Sequence, residues 1–192
     1  MNASREARFA AYAALLRKWN PSINLVAPNS LAQLEDRHLA DSAQLAQLAP
    51  DDDEPWLDIG SGGGLPGLVL AIEQPDRPIR LVDSDGRKVA FLRTVIQSLG
   101  LSNCTALQAR IEELPPASVR HISARALAPL PRLVPYLDRH LAEGGTGWLL
   151  KGRNWQAEFE QLGSLDHYRL TVHPSRTDPQ AAILQLDRKT IG

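Results

Sequence analysis

The chain has 192 residues, 43% of them hydrophobic and 22% charged, with 21 Lys and Arg against 22 Asp and Glu for a formal net charge of -1. This balance excludes a disordered chain, and no run of about 18 uncharged apolar residues is present to form a membrane-spanning helix. The single cysteine, Cys104, excludes a disulfide framework or a multi-thiolate metal site, so no metal is expected. The first residues, Met1 to Glu6, lack the apolar core of a secretion signal, so the expectation is a cytoplasmic protein without a membrane partner. Charge is uneven along the chain: residues 1–119 carry 11 basic and 15 acidic side chains, residues 120–192 carry 10 and 7. A basic C-terminal face would suit a polyanion.

The first fifty residues read as helical. Phe9, Tyr12, Ala13, Leu16 and Trp19 form one stripe that Asn20-Pro21 should break. A second helix should start at Ser30, with Gln33 completing a capping box and Leu31, Leu34, His38, Leu45 and Leu48 facing the core. The charged, proline-bounded run from Pro50 to Pro55 marks a boundary between a helical extension (1–50) and a second domain (51–192).

From Trp56 strands and helices alternate. Strands are expected at Trp56–Ile59, Ile79–Asp83, Thr105–Gln108, His121–Ala126 and Trp148–Lys151, with a terminal hairpin from Tyr168–His173 and Ala182–Leu186. Between them fall helices over Leu65–Glu73, around Val89–Leu99 with Gly100 as its stop, from Leu130 to Leu141 closed by Gly144-Gly145, and from a capping Asn154 to Leu162. The pattern predicts an α/β, doubly wound, Rossmann-like sheet of about seven mostly parallel strands behind an N-terminal helical extension.

The most informative segment is Asp58-Ile59-Gly60-Ser61-Gly62-Gly63-Gly64-Leu65-Pro66-Gly67, where the first strand hands over to the first helix. This is the crevice at the carboxyl ends of a parallel sheet, where ligands bind. Glycines let backbone approach a ligand, and the helix start suits an anionic group. Gly62 to Gly67 fits GxGxxG, which alone suggests a dinucleotide, and Asp83 stands where a ribose-binding acid belongs for either ligand. Asp58 points instead to S-adenosyl-L-methionine: its carboxylate gains nothing from a pyrophosphate but suits an amino-acid ammonium. Three readings stay open on these residues: a methyltransferase, a small NAD-dependent oxidoreductase, and a cofactor-binding module without catalysis. No Tyr/Lys or His/Asp pair in a suitable motif supports hydride transfer.

The ordered set of motifs resembles the bacterial small-subunit ribosomal RNA guanine-N7 methyltransferases, the glucose-inhibited division protein B family, over nearly the whole chain. The similar segments are Trp19-Asn20, Asn24-Leu25, Arg37-His38-Leu39-Ala40-Asp41-Ser42, the glycine loop, Phe91-Leu92, Ser123-Ala124-Arg125-Ala126 and Lys151-Gly152. The chain departs from the family pattern at Arg87-Lys88 (order reversed), at the extra Ala124 and at Val26, without losing a charge or a glycine. The resemblance implies a class I methyltransferase sheet, S-adenosyl-L-methionine as cofactor, and 16S ribosomal RNA or the small ribosomal subunit as partner. It also implies cofactor contacts at Gly60, Leu65, Asp83, Ile111, Glu112 and Arg125, to which the loop reading adds Asp58 and Gly62. Arg125 is the expected catalytic residue.

Guanine N7 has a lone pair and no hydrogen, so its methylation needs alignment and no general base. Cys104, expected to open the third strand, is not placed as a nucleophile. Pro115-Pro116 precedes the fourth strand, so the tetrapeptide of exocyclic-amine methyltransferases is absent. His38 and Asp41 should share one helical face as a mutually satisfied pair, with His38 a further RNA candidate. Lys151 and Arg153 are the candidate phosphate contacts. No exposed apolar stripe argues for more than a monomer.

Overall fold

The computed structural model describes residues 4–27, 31 and 33–190; the expected cap at Ser30 lies outside them. Helix α1 spans Arg5–Ile23, with the Ser4 side chain accepting from the Ala7 N–H. Its buried face is Tyr12, Ala13, Leu16, Asn20 and Ile23. Contrary to expectation, the helix continues through Asn20-Pro21. The Asn20 carbonyl still accepts from Asn24 N–H at 3.0 Å, and its buried side chain accepts from Val26 N–H at 2.8 Å. The missing proline N–H therefore falls in a last turn that these bonds hold closed.

The second helical segment is not a plain α-helix. A π-helical turn, Leu34–Leu39, runs directly into α2 (Ala40–Leu48). The wider turn shifts the apolar phase, so Leu34, Leu39 and Leu45 are buried while His38 is half-buried at a cavity edge.

The sheet is built from β1 (Trp56–Ile59), β2 (Ile79–Asp83), β3 (Cys104–Gln108), β4 (Val119–Arg125), β5 (Leu141–Lys151), β6 (Tyr168–Pro174) and β7 (Ala182–Arg188), in the order β3-β2-β1-β4-β5-β7-β6. β1 to β5 pair in parallel, and β7 pairs antiparallel with both β5 and β6. Helices α3 (Gly67–Glu73) and α4 (Gly86–Leu99) cover one face; α5 (Leu130–His140) and α6 (Trp155–Glu160) cover the other. Tyr12, Leu16, Leu34 and Leu45 join the same apolar cluster as Leu68, Leu70 and Phe91, so α1 and α2 pack on the α3–α4 face.

Two further expectations change. Gly144 and Gly145 lie inside β5 and do not close α5, which ends at His140. The fully buried His140 ring faces the Ile111 carbonyl at 3.0 Å and accepts from Ala117 N–H, holding the helix end one residue before the expected Leu141. Asn154 precedes α6 but makes no side-chain cap, and α6 ends at Glu160. Gly100 does stop α4, in the left-handed conformation.

Candidate functional site: two cavities and the wall between them

The crevice at the carboxyl ends of β1, β2 and β4 is divided in two. The smaller cavity, about 350 Å³, is lined by Gly60, Asp83, Ile111, Glu112 and Tyr136 among others. The larger, about 730 Å³, is lined by Arg37, His38, Asp41, Arg125, Lys151 and Arg153 among others. Ala126, Leu127 and Ala128 line both.

Backbone builds the smaller cavity. Gly60, Gly62 and Gly64 have φ of +65°, +52° and +88°. At Gly60 a side chain would be doubly unwelcome, because a Cβ there would come within 2.5 Å of Leu127 Cδ1. Ser61 stitches the loop to the sheet: its N–H donates to the Val82 carbonyl at 3.1 Å and its hydroxyl to the Asp58 carbonyl at 2.9 Å. Asp83 accepts from Gly62 N–H (2.8 Å) on one oxygen and from Asp85 N–H (2.9 Å) on the other. A carboxylate offers about four acceptor positions, so capacity remains for a vicinal diol. Glu112 accepts from the Tyr136 hydroxyl at 2.5 Å, which holds its carboxyl below the usual range. Arg110 pairs with Glu113 at 4.0 Å, leaving Glu112 to the cavity.

Asp58 does not line this cavity. Its side chain is fully buried, accepts from Ser123 Oγ at 2.5 Å, and connects through that hydroxyl to Trp56 Nε1–H at 2.8 Å. Burial pushes its carboxyl up to about 6, against the bond from Ser123. Asp58 therefore supports the loop from beneath. Leu65 likewise packs into the apolar core, and Gly62 serves through its N–H.

Side chains build the larger cavity. Arg125, expected over the cofactor site, lines this cavity and not the smaller one. Its Nη1 donates to the His38 carbonyl at 3.0 Å, and its Nη2 lies 2.6 Å from His38 Nδ1. Arginine only donates, so Nδ1 accepts and the imidazole proton sits on Nε2. Burial and the Arg125 and Arg37 charges pull His38 down to about 4, keeping it neutral. His38 and Asp41 are not bonded to each other, contrary to expectation. Arg125 bridges them, with Asp41 Oδ2 at 3.6 Å. Asp41 also accepts from the Ser175 and Thr177 hydroxyls of the β6–β7 loop.

Lys151 is already engaged. Its buried Nζ lies 2.6 Å from Glu158 and donates to the Ala128 carbonyl at 3.0 Å, while Glu158 also accepts from Leu130 N–H at 2.9 Å. This ion pair clamps the wall, and Lys151 is not available as a phosphate contact. Arg153 is exposed, 3.5 Å from Asp178. Trp19 packs at the core edge, 5.8 Å from the Phe91 ring. Cys104 is buried at the start of β3, its thiol pushed up to about 12 by burial, so no thiolate is available. The sequence reading missed Tyr136, Glu158 and Asp178; none sits in a motif, and each acts through a contact distant in sequence.

Residues 5–172 match the GidB family, described as rRNA small subunit methyltransferase G. The chain belongs to this family of methyltransferases. It is 52% identical over 187 residues to the ribosomal RNA small subunit methyltransferase G of Paracoccus denitrificans, covering 97% of each chain. It is 47% identical over 180 residues to that of Rhodospirillum centenum, covering 93% of this GidB-family chain and 82% of the relative. Among solved structures it is similar to a SAM-dependent methyltransferase from Aquifex aeolicus, with a TM-score of 0.63, 15% identity, and coverage of 93% and 98%. That likeness carries the fold. Family membership decides between the cofactor readings of the glycine loop: the oxidoreductase alternative is not supported.

Proposed function

We propose that this GidB-family chain transfers a methyl group from S-adenosyl-L-methionine to N7 of a guanine in 16S ribosomal RNA. We place it in the cytoplasm as a monomer, with residues 1–50 as the substrate-side extension. No helix among the described residues is long and apolar enough to cross a membrane, and the exposed large apolar side chains Leu107, Leu127 and Val172 are scattered along the chain.

The residues present fit that cofactor. Gly60 presents bare backbone to the smaller cavity, where a Cβ would run into Leu127, Asp83 retains acceptor capacity for ribose hydroxyls, and Ile111 and Glu112 line the same cavity. When bound, S-adenosyl-L-methionine supplies an electrophilic methyl group on a sulfonium. The observation that carries the proposal is the wall: the residues Ala126 to Ala128 border both cavities, so groups held in the two can meet there.

The chain's own work is positioning. N7 has no proton to lose, so no base is required. The larger cavity agrees, because His38 already accepts from Arg125 through Nδ1 and Lys151 is paired with Glu158. Holding two reactants in line can supply roughly 7–11 kcal/mol of the barrier. Arg125, fixed by the His38 carbonyl, His38 Nδ1 and Asp41, is the group placed to orient the base.

The test is transfer of a labelled methyl group to ribosomal RNA from cells lacking the protein, followed by mapping of the modified base. Label on N7 of one guanine is expected. Label on another atom, or calorimetric binding of NAD with S-adenosyl-L-methionine ignored, overturns the proposal.

A further inference from the structure

Arg37 on the π-helical turn and Arg153 just beyond β5 come from distant parts of the chain yet converge on one atom. Arg37 Nη2 and Arg153 Nε each lie 3.5 Å from Asp178 Oδ2. The two arginine side chains are 43% and 67% exposed, whereas Asp178 is 11% exposed. The other Asp178 oxygen accepts from Gln180 N–H at 3.0 Å, and Asp178 N–H donates to Ser175 Oγ, so the loop holds the carboxylate in place. Each guanidinium has five N–H donors in a fixed fork. One from each points at Asp178, at a distance long for a charge-assisted bond, and both exposed heads face water.

The same three residues border two cavities. They line the larger cavity of the site and a separate one of about 410 Å³ that also includes Gln33, Thr177 and Pro179. They stand where a polymer would run if one of its bases entered the larger cavity. Their formal charge, two guanidiniums and one carboxylate, is +1, which matches one phosphodiester. Of the neighbouring cations, Lys151 is paired with Glu158, and Arg176, which keeps its charge, lines neither cavity and turns to Gln47 of α2.

We propose that Arg37 and Arg153 together form a seat for a single RNA phosphodiester, next to the nucleotide whose base enters the larger cavity, with Asp178 as the anchor that holds the two guanidiniums side by side. This rests on the reading that RNA occupies that cavity. The seat would fix the strand's register without reading sequence, and a phosphate held beside an extruded base keeps that nucleotide out of the stack.

Binding of a short guanine-containing single-stranded RNA, followed by fluorescence anisotropy across a salt series, tests this. The variants are Arg37→Ala with Arg153→Ala, Arg37→Lys with Arg153→Lys, and Asp178→Asn. The alanine double variant is expected to bind about tenfold more weakly at low salt, with the slope of log K against log salt reduced by about 0.7, one phosphate on a single strand. The lysine pair should recover most of the slope, and Asp178→Asn, which frees the two guanidiniums to separate, should weaken binding less than the alanine pair; tighter binding would mean that Asp178 competes with the phosphate and does not anchor its seat. An unchanged slope in the alanine variant overturns the seat, and so does a loss of about 1.4, which means two separate phosphates. Inorganic phosphate at matched ionic strength should displace RNA no better than chloride; specific displacement would assign the seat to free phosphate. Cofactor affinity, read by calorimetry, should be unchanged in every variant and reports that the fold is intact. Failure of the wild-type chain to bind or methylate RNA would defeat the functional reading itself, whereas a failed slope comparison in a chain that methylates RNA defeats the seat alone.

Discussion

The two cavities are made of different material. The smaller is bounded by Gly60 at the head of the glycine loop, by Asp83, fixed through backbone N–H groups, and by Ile111, Glu112 and Tyr136. The larger is bounded by side chains from the π-helical turn, α2, the ends of β4 and β5, and the β6–β7 loop, knitted by Arg125, Asp41, Lys151 and Asp178. A backbone cradle tolerates little change but depends on few distant partners. A side-chain network can be retuned one residue at a time, and every member leans on another.

The sharpest test of this division is Arg125→Ala. Arg125 lines only the larger cavity of the two, so turnover should fall at least a hundredfold, a size in keeping with lost alignment, while S-adenosyl-L-methionine affinity stays within about twofold. Calorimetry alongside methyl-transfer kinetics separates these. Loss of cofactor affinity would return Arg125 to the cofactor side. Arg125→Lys should restore only part of the activity, because a single ammonium cannot reach both the His38 carbonyl and Nδ1 as the planar fork does.

The second test uses pH, because Asp58 beneath the glycine loop and His38 at the larger cavity are displaced so that their effects on stability run in opposite directions. Burial raises Asp58 to about 6, so above the ordinary carboxylate range the fold keeps a proton that the unfolded chain releases. Its contribution to stability therefore declines as pH rises from about 4 to 6, by up to about 3 kcal/mol. His38 is lowered to about 4, so there the unfolded chain binds the proton first, and stability is gained as pH rises from 4 toward 6.5. The His38 effect is the smaller, since the residue is only half-buried. Asp58→Asn keeps an acceptor for Ser123 but removes the titration. Relative to wild type its unfolding free energy should climb by about 3 kcal/mol between pH 4 and 6. Urea unfolding across that window checks it, and a flat difference would mean that the carboxyl is hydrated.

How much of this was legible in the sequence follows the same division. The strand–glycine–helix junction, Asp83 at the end of β2 and Gly100 ending α4 are local features, and the structure has them where the spacing puts them. The residues Arg125, Lys151, Arg153 and His38 were found, and all four line one cavity. Their roles were not legible, because a role depends on the partner. Lys151 looked free until Glu158 came to it, and His38 looked paired with Asp41 until Arg125 came between them. Asp178 meets Arg37 across 141 positions of sequence, a separation at which no local pattern operates. The π-helical turn was hidden for another reason: one extra residue leaves the apolar spacing nearly intact while rotating the residues beyond it.

On the backbone side, Gly60→Ala should act on cofactor affinity first. The left-handed φ of +65° costs a non-glycine residue about 1–2 kcal/mol, equivalent to roughly a tenfold loss of affinity if the bound state requires that conformation. The Leu127 methyl that blocks the new Cβ is the end of a flexible side chain and can swing aside. Turnover at saturating cofactor should then fall less than in Arg125→Ala. A larger loss of turnover than of affinity would show that Leu127, once displaced, matters more than the loop.

The smallest expected effect crosses the divide. Tyr12 on α1 is fully buried and donates its hydroxyl to the Gly63 carbonyl at 2.5 Å, so α1 touches the glycine loop directly. Tyr12→Phe keeps the ring and its packing but leaves that carbonyl unpaired, at a cost of about 1–3 kcal/mol in stability. If α1 contributes packing alone, cofactor affinity should not change. If the hydrogen bond also sets the loop, affinity should fall about two- to fivefold with the RNA salt slope untouched. The second outcome is expected, because Gly63 lies between Gly62, which donates to Asp83, and Gly64, whose φ of +88° leaves the turn little freedom to compensate. Calorimetry with S-adenosyl-L-methionine on this one variant therefore measures how far packing from α1 holds the glycine loop in shape.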